Sequence, residues 1–382
     1  MNQSLYDLSP ALHIMSMGVV VALGPLSWLW LRNARAVPAR RLQLLTLAVL
    51  FLTFDLVLFG AFTRLTDSGL GCPDWPGCYG HASPTGAHAS IAQAQAAMPT
   101  GPVTHSKAWI EMVHRYLATG VGVLILTLAA GTWVLRRRGA AVSPWWPTVT
   151  LLWVCLQGAL GALTVTMKLF PAVVTMHLLA GIVLLALLCR QAVAYEHAQQ
   201  GCGPVTVAGG VRALLLGVTA LLWLQIALGG WVSTNYAVLA CTDFPACQGS
   251  WWPAMDFRHG FQLWRDLGMT AQGEPIGFSA LTAIHYAHRL MAYLVLAALA
   301  LLAWELRSSG RLRRHARLVA VLLVLQLATG VSNVLLAWPL AIAVAHTGGA
   351  AALVLALTWA MGECRTARIA RPSSLSAREW SA

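Results

Sequence analysis

The chain has 382 residues, of which 58% are hydrophobic and only 10% are charged, and its formal net charge at pH 7 is +12. A soluble protein of this length could not bury so much apolar surface, so the composition predicts an integral membrane protein. The basic residues lie mainly between apolar runs, which is typical of membrane topology rather than of nucleic-acid binding. Arg32 and Arg35 follow the first apolar run, the reverse of a secretory signal peptide, so we expect that run to be retained as a helix.

Nine apolar runs are each long enough to cross about 30 Å of hydrocarbon as a helix of roughly 20 residues. Backbone groups inside a bilayer must be hydrogen-bonded within the protein, so such runs form helices. We therefore predict an all-α integral membrane protein with nine transmembrane helices. The predicted spans are 11–31, 42–63, 108–134, 147–167, 172–195, 211–232, 280–304, 317–337 and 340–362.

Most of the 25 Lys and Arg residues fall in alternate connections and in the C-terminal tail. By the positive-inside rule these segments face the cytoplasm of a bacterial-type inner membrane, with the N-terminus outside and the C-terminus inside. Two long connections, 64–107 and 233–279, would then face the outside, and we expect one short helix near Ser90–Ala97 in the first. The basic residues assigned to the cytoplasm are Arg32, Arg35, Arg40, Arg41, Arg136, Arg137, Arg138, Arg190, Arg212, Arg307, Arg311, Arg313, Arg314, Arg317, Arg365, Arg368, Arg371 and Arg378.

The sequence also contains an internal repeat. Residues 60–80 align without a gap with residues 229–249, and the same offset of 169 residues relates three further pairs. Those pairs are Gln157 and Gln326, Gly161 and Gly330, and His177 and His346. We predict two parallel four-helix units related by an axis along the membrane normal, the first unit (42–200) and the second unit (201–364). An extra N-terminal helix with its link (1–41) and a cytoplasmic tail (365–382) complete the predicted chain.

Four histidines occupy similar places near one end of their predicted helices, at a depth within the outer third of the membrane. Opposed imidazoles on two helices of a bundle can supply both axial ligands of a haem iron. The duplication favours haem over the alternative, in which each ring is only a hydrogen-bonded polar group. Arg115 and Arg289, each directly after one of these histidines, could pair with haem propionates. The four are His114 and His177 in the first unit and His288 and His346 in the second.

Both histidine pairs lie on one side of the predicted membrane. A cytochrome that carries electrons across a membrane needs cofactors spaced through its thickness. The shared depth therefore favours two chemistries side by side over a transmembrane electron path.

Glu111 lies one helical turn before His114, and its counterpart in the second unit is His285. The two units therefore differ at this position, which suggests that one holds a cofactor and the other does chemistry. A carboxylate at an apolar helix end can serve as an acid or base. The alternative is that Glu111 only pairs with Arg115 or Lys107.

Each long outer connection contains one pair of cysteines, Cys72 with Cys78 and Cys241 with Cys247. An oxidising outer face permits a disulfide in each pair, either structural or redox-active, and a zinc site from all four is a further alternative.

Asp55 is a lone acid within the second predicted helix. Burial of a charge there is costly without a partner, so we expect it to pair with another helix, with proton relay as the alternative.

Several of these motifs together resemble the haem A synthase family, over about residues 43–363. They are Phe62-Thr63-Arg64-Leu65-Thr66-Asp67-Ser68-Gly69-Leu70, Glu111-x-x-His114-Arg115, His288-Arg289, His177 and His346. The resemblance implies an enzyme that oxidises the C8 methyl group of haem O to a formyl group, giving haem A for cytochrome c oxidase. It implies that His288 and His346 ligate a haem b cofactor, that His114 and His177 flank the haem O substrate, and that Glu111 is catalytic.

The same resemblance implies a disulfide in the cysteine-containing loops and, as partners, haem O synthase and the cytochrome c oxidase assembly machinery. Membrane lipid surrounds the protein, no nucleic acid is expected, and a homo-oligomer is left open. The extra N-terminal helix departs from the common eight-helix plan of the family. Two alternatives from other classes are a membrane haem transporter or chaperone and a quinone-linked thiol oxidoreductase.

Overall fold

The computed structural model describes residues 9–140, 142–200 and 203–366. Within these ranges, nine helices are long and apolar enough to cross a membrane, and each predicted span overlaps one of them. The predicted all-helical membrane fold is therefore confirmed. The nine helices are α1 (Ser9–Arg32), α2 (Pro38–Leu65), α4 (His105–Arg137), α5 (Trp145–Thr166), α6 (Pro171–Gln200), α7 (Gly209–Thr234), α9 (Phe278–Leu306), α10 (Arg313–Leu335) and α11 (Leu340–Glu363).

Shorter elements occupy the connections. They are α3 (His88–Ala97), a 3₁₀ helix (Ala237–Ala240), α8 (Phe257–Gly260) and the strands β1 (Val205–Val207) and β2 (Cys364–Thr366). The helix α3 confirms the short helix predicted in the first long connection. The strands differ from the all-α prediction: β1 and β2 pair in parallel because the chain entering α7 and the chain leaving α11 run side by side. Their ladder satisfies backbone groups that no helix uses.

Local sequence explains where several helices begin. Pro38 and Pro171 are the first residues of α2 and α6, where the missing proline N–H would have had no helical partner. Thr104 precedes α4, and its hydroxyl accepts the N–H of Lys107 at 3.3 Å. This N-cap fixes the start of the helix that presents Glu111 and His114.

The long helices form two closed rings of four. In one ring α2 packs on α4, α4 on α5, α5 on α6 and α6 on α2; in the other α7, α9, α10 and α11 follow the same order. Contacts of α6 with α7 and of α11 with α2 and α6 join the rings. The predicted division into two units, and the repeat that relates them, stay predictions.

Contacts between counterpart positions support an axis between the units. The Arg64 guanidinium donates to the carbonyl of Ser233 at 2.6 Å, and these two residues are separated by 169 positions. The hydroxyl of Tyr236 donates to the carboxylate of Asp67, again 169 positions away. Equivalent residues of two repeats meet each other where a twofold axis passes between them.

The extra helix α1 packs mainly on α4, and so against the first unit. Glycine makes this approach close, because a Cβ on Gly120 would lie 2.7 Å from Cγ1 of Val21. Small residues at a helix interface are the usual means of close packing in membranes. Of the basic residues predicted for the cytoplasm, Arg368, Arg371 and Arg378 lie outside the described residues.

Candidate active site

The four histidines form two pairs, one in each ring of helices. His114 of α4 and His177 of α6 are close enough to interact electrostatically, and so are His288 of α9 and His346 of α11. All four lie within about the first three turns of helices that begin at the same end of the bundle, where the two long connections lie. Two imidazoles on different helices at one depth are the donor set that a haem iron needs on its two faces.

A glycine on the preceding helix lies against each of the four rings. A side chain at any of these glycines would press on the imidazole, because its Cβ would lie about 3 Å from the ring carbon Cε1. The four contacts are Gly60 with His114 (3.1 Å), Gly161 with His177 (3.1 Å), Gly229 with His288 (2.9 Å) and Gly330 with His346 (3.3 Å). These cradle glycines leave space for the rings between the helices, an arrangement that fits flat ligands held between paired helices.

A glutamine one turn before three of the cradle glycines holds the backbone of the histidine. In each case the side-chain amide donates to the histidine carbonyl oxygen. The bonds are Gln157 to His177 (3.0 Å), Gln225 to His288 (3.2 Å) and Gln326 to His346 (2.8 Å). The corresponding position beside His114 is Leu56. These bonds brace the α5–α6, α7–α9 and α10–α11 pairs.

The histidines of the second unit also have side-chain partners at Nδ1. His288 Nδ1 lies 3.1 Å from the amide nitrogen of Gln225, and His346 Nδ1 lies 2.8 Å from the hydroxyl of Thr329. The Thr329 hydroxyl can accept Nδ1–H of His346 and so orient a metal-ligating imidazole, whereas the Gln225 amide nitrogen can only donate to the ring of His288.

The first unit lacks such partners. Nδ1 of His114 and Nδ1 of His177 are both buried, and neither has a hydrogen-bond partner among the described residues. These two rings therefore lack the side-chain partner at Nδ1 that His346 has in Thr329.

Glu111 is buried, with 4% of its surface exposed. One carboxylate oxygen accepts the backbone N–H of Cys72 at 2.8 Å, and the other accepts from the Arg115 guanidinium at 2.5 Å. The pairing with Arg115 that the sequence offered as an alternative is therefore present. The contact with Cys72 was not predicted, and it joins the carboxylate directly to the disulfide-containing loop. The catalytic role of Glu111 stays a prediction.

His285 has a similar structural role in the second unit. Its Nδ1 lies 3.0 Å from the carbonyl oxygen of Ala237, and its Nε2 accepts from Nε of Arg289 at 3.3 Å. A neutral imidazole thus stands where the first unit has a carboxylate.

Arg115 and Arg289 each hold the backbone of one loop. Arg115 donates to the carbonyls of Asp74, Pro76 and Gly77 at 3.0, 3.0 and 2.5 Å. Arg289 donates to the carbonyls of Asp243, Ala246 and Cys241 at 2.8, 2.9 and 2.9 Å. A buried guanidinium needs several acceptors, and the loop carbonyls supply them. The predicted pairing of these arginines with haem propionates stays a prediction.

The two loops share one conformation. Disulfides join Cys72 to Cys78 and Cys241 to Cys247, as the cysteine spacing permits. In the first loop the carboxylate of Asp74 accepts the N–H groups of Tyr79 and Gly80, and in the second Asp243 accepts those of Gln248 and Gly249. These bonds, the Gly249 N–H first, hold the pKa of Asp243 below its ordinary value.

The zinc site, which was an alternative, and the expected pairing of Asp55 find no support. All four disulfide cysteines are buried and paired, and the described part of the chain contains no group of three or more metal-ligating side chains for a zinc site. Asp55 is exposed on α2, and no hydrogen bond or ion pair joins it to another described residue. Its predicted pairing with a neighbouring helix is therefore not found.

The sequence reasoning missed the cradle glycines, Gln225 and Thr329 as site residues. The repeat contained part of the signal, since Gly161 aligned with Gly330 and Gln157 with Gln326. A comparison at the same offset of Leu56 with Gln225 and of Leu160 with Thr329 would have shown where the units differ.

Comparison with known proteins agrees with this arrangement. Residues 43–358 match the model of the COX15-CtaA family, described as cytochrome oxidase assembly protein. A protein named heme A synthase from Shewanella oneidensis is 40% identical over 327 residues, covering 83% of this chain and 95% of the relative. Proteins of the same name from Caulobacter sp. (strain K31) and Halalkalibacterium halodurans are 30% identical over 350 residues and 28% over 295. These cover 86% and 75% of this chain, and 96% and 85% of the relatives. The matched range contains both histidine pairs, both disulfide loops and Glu111, and the chain therefore belongs to the COX15-CtaA family.

Proposed function

We propose that this protein is a haem A synthase, which oxidises the C8 methyl group of haem O to a formyl group and so makes haem A for cytochrome c oxidase. The observation that carries the proposal is the pair of opposed histidine sites at one end of the bundle. Relatives that match most of the chain bear the name heme A synthase. An oxidation of one haem in the presence of a second needs two neighbouring haem sites, and in this proposal the two histidine pairs would be those sites.

The two sites have different roles in this proposal. His288 and His346 would hold a resident haem b, and two bonds support this because a permanent cofactor benefits from fixed ligands: the Thr329 hydroxyl at Nδ1 of His346 and the Gln225 amide at the carbonyl of His288. His114 and His177 would flank haem O, which must enter and leave as haem A. Their unpaired Nδ1 atoms fit a site whose occupant changes. When bound, haem supplies the redox chemistry of the reaction.

Glu111 is the residue proposed to move protons. Its carboxylate lies one helical turn before His114 on α4, on the side of the substrate pair. Arg115 and the Cys72 N–H fix the two oxygens, so the group is oriented while it holds or releases a proton. Oxidation of a methyl group releases protons, and a buried carboxylate beside the substrate can accept them.

The proposed orientation places the histidine pairs toward the outer face, with the N-terminus outside and the C-terminus in the cytoplasm. Arg136, Arg137 and Arg138 at the opposite end of α4 support this orientation through the positive-inside rule. Haem O synthase and the oxidase assembly machinery are the proposed partners.

The test is to express the protein with and without a haem O synthase, purify it, and identify the extracted haems by mass. We expect haem b in both preparations and haem A only when haem O is supplied. Unchanged haem O beside haem b would overturn the proposal and favour a haem transporter. A protein without haem would overturn both. A thiol oxidoreductase is disfavoured already, because Cys72, Cys78 and Cys247 are fully buried and closed to thiol exchange.

A further inference from the structure

One of the four residues that directly precede the cradle glycines differs in kind from the other three. Three are apolar and one carries a hydroxyl. They are Phe59, Leu160, Leu228 and Thr329. The polar one belongs to the second unit, beside His346.

The hydrogen bonds of Thr329 determine which way its hydroxyl points. The oxygen lies 2.8 Å from the carbonyl of Leu325, four residues earlier in α10, and 2.8 Å from Nδ1 of His346. A hydroxyl has one proton, and a carbonyl can only accept it. When the Thr329 proton goes to the carbonyl of Leu325, or to that of Gln326 at 3.3 Å, a lone pair of the oxygen accepts Nδ1–H of His346. The ring is then in the tautomer whose Nε2 carries no proton.

The equivalent position in the first unit shows what is lost without this hydroxyl. Leu160 stands there, beside His177, and the buried Nδ1 of His177 has no partner among the residues that the structure describes. The glutamine bond to the histidine carbonyl is present in both units. His177 and His346 therefore differ in the hydrogen bonding of the imidazole ring and not in how the backbone of their helix is held.

We propose that Thr329 is a positioning residue that holds His346 as the Nδ1–H tautomer, with Nε2 free to ligate the iron of the second-unit haem. This inference rests on the proposed function, because it takes that unit to hold haem b. A bond of this kind makes the imidazole a stronger donor to iron, which favours the ferric state and slows ligand loss.

The test compares Thr329→Val, which keeps the shape and removes the hydroxyl, with Thr329→Ser, which keeps the hydroxyl. Thr127→Val is the matched control, because the Thr127 hydroxyl bonds only the carbonyl of Val123 in α4. The readouts are the midpoint potential of bound haem b and its rate of loss to a haem-accepting protein. We expect the valine variant at position 329 to show a more positive potential and about tenfold faster loss. The serine variant and the Thr127 control should behave as the parent.

Each result supports or overturns the positioning role of Thr329. If the parent holds haem b and Thr329→Val matches it in potential and in rate of loss, the positioning role is wrong while the proposed function stands. If the parent itself holds no haem b, the proposed function fails and this role fails with it. Should Thr329→Val not fold, a parent-like serine variant supports the role, and a serine variant altered in potential overturns it.

Discussion

The two four-helix units share a scaffold and differ in the groups that surround their histidines. Both have cradle glycines, a disulfide loop and an arginine that binds the loop carbonyls. At three counterpart positions, the side chains of the two units differ in polarity or charge. These pairs are Leu56 and Gln225, Glu111 and His285, and Leu160 and Thr329.

The residues that differ change the hydrogen bonds available to the imidazoles of each unit. The second unit gains neutral hydrogen-bond partners for its imidazoles, which suits a ligand that stays. The first unit leaves its ring nitrogens unpaired and has a buried carboxylate, which suits a ligand that is exchanged and chemically changed. In the proposed function, the shared scaffold would bind haem in both units, and the unshared residues would give the two units different roles.

The largest effect is expected at Glu111. Glu111→Gln keeps an acceptor for the Cys72 N–H but cannot take up a proton, so haem A yield should fall by about 100-fold while haem b stays bound. Haem O or a hydroxylated form should accumulate, as measured by mass of the extracted pigments. His285→Gln is the matched control and should leave the yield within a few-fold of the parent. An undiminished haem A yield in Glu111→Gln would remove Glu111 from the chemistry.

Substitution of a cradle glycine should reduce haem b retention more than substitution of another glycine on the same helix. In Gly229→Ala the new Cβ would lie 2.9 Å from Cε1 of His288, whereas Gly217 of α7 has no heavy atom within 4 Å of its Cβ position. Overpacking of this kind costs about 1–3 kcal/mol, so haem b retention should fall about tenfold or more in Gly229→Ala. Gly217→Ala should retain haem b as the parent does. Equal retention in the two variants would contradict the role of the cradle.

Arg115 and Arg289 bind loop carbonyls in the structure, whereas the sequence predicts that they pair with haem propionates. A substitution at Arg289 tests which of these roles affects haem b. Arg289→Gln removes charge-assisted bonds to the second loop, worth about 1.5–3 kcal/mol each, so limited proteolysis should cut residues 235–277 faster. Haem b content should be little changed. Loss of haem b with an unaltered rate of loop cleavage would instead favour the predicted pairing with a propionate. Arg258→Gln, in the same loop, serves as the control.

The smallest effect is expected at Asp243. Its pKa is lowered in the folded loop, so its contribution to loop stability is present at neutral pH and is lost as the pH falls through that lowered value, below the ordinary 3.8. Hydrogen exchange at the amides of Gln248 and Gly249 should therefore stay protected from pH 7 to pH 5 and lose protection under stronger acid. Asp243→Asn should flatten this pH dependence. Protection that is unchanged by the substitution would show that the carboxylate does not hold the loop.

The sequence was sufficient for the helices, because apolar runs report membrane helices directly. The offset of 169 residues aligned His177 with His346, and the haem-binding roles of the histidines stay predictions. The loop carbonyls that Arg115 binds and the exposure of Asp55 could not be predicted. They depend on the path of an irregular loop and on the rotation of α2 about its axis, and neither leaves a periodic pattern. The role of Thr329 required both the repeat and an interatomic distance.

The division of labour between the units is tested most directly by the haem b content of purified His346→Ala and His177→Ala proteins. Each variant removes one histidine of one pair and leaves the other pair intact. The account predicts that His346→Ala loses haem b, while His177→Ala keeps it and fails to convert haem O. Retention of haem b in His346→Ala together with its loss in His177→Ala would reverse the assignment of the two units and contradict the account.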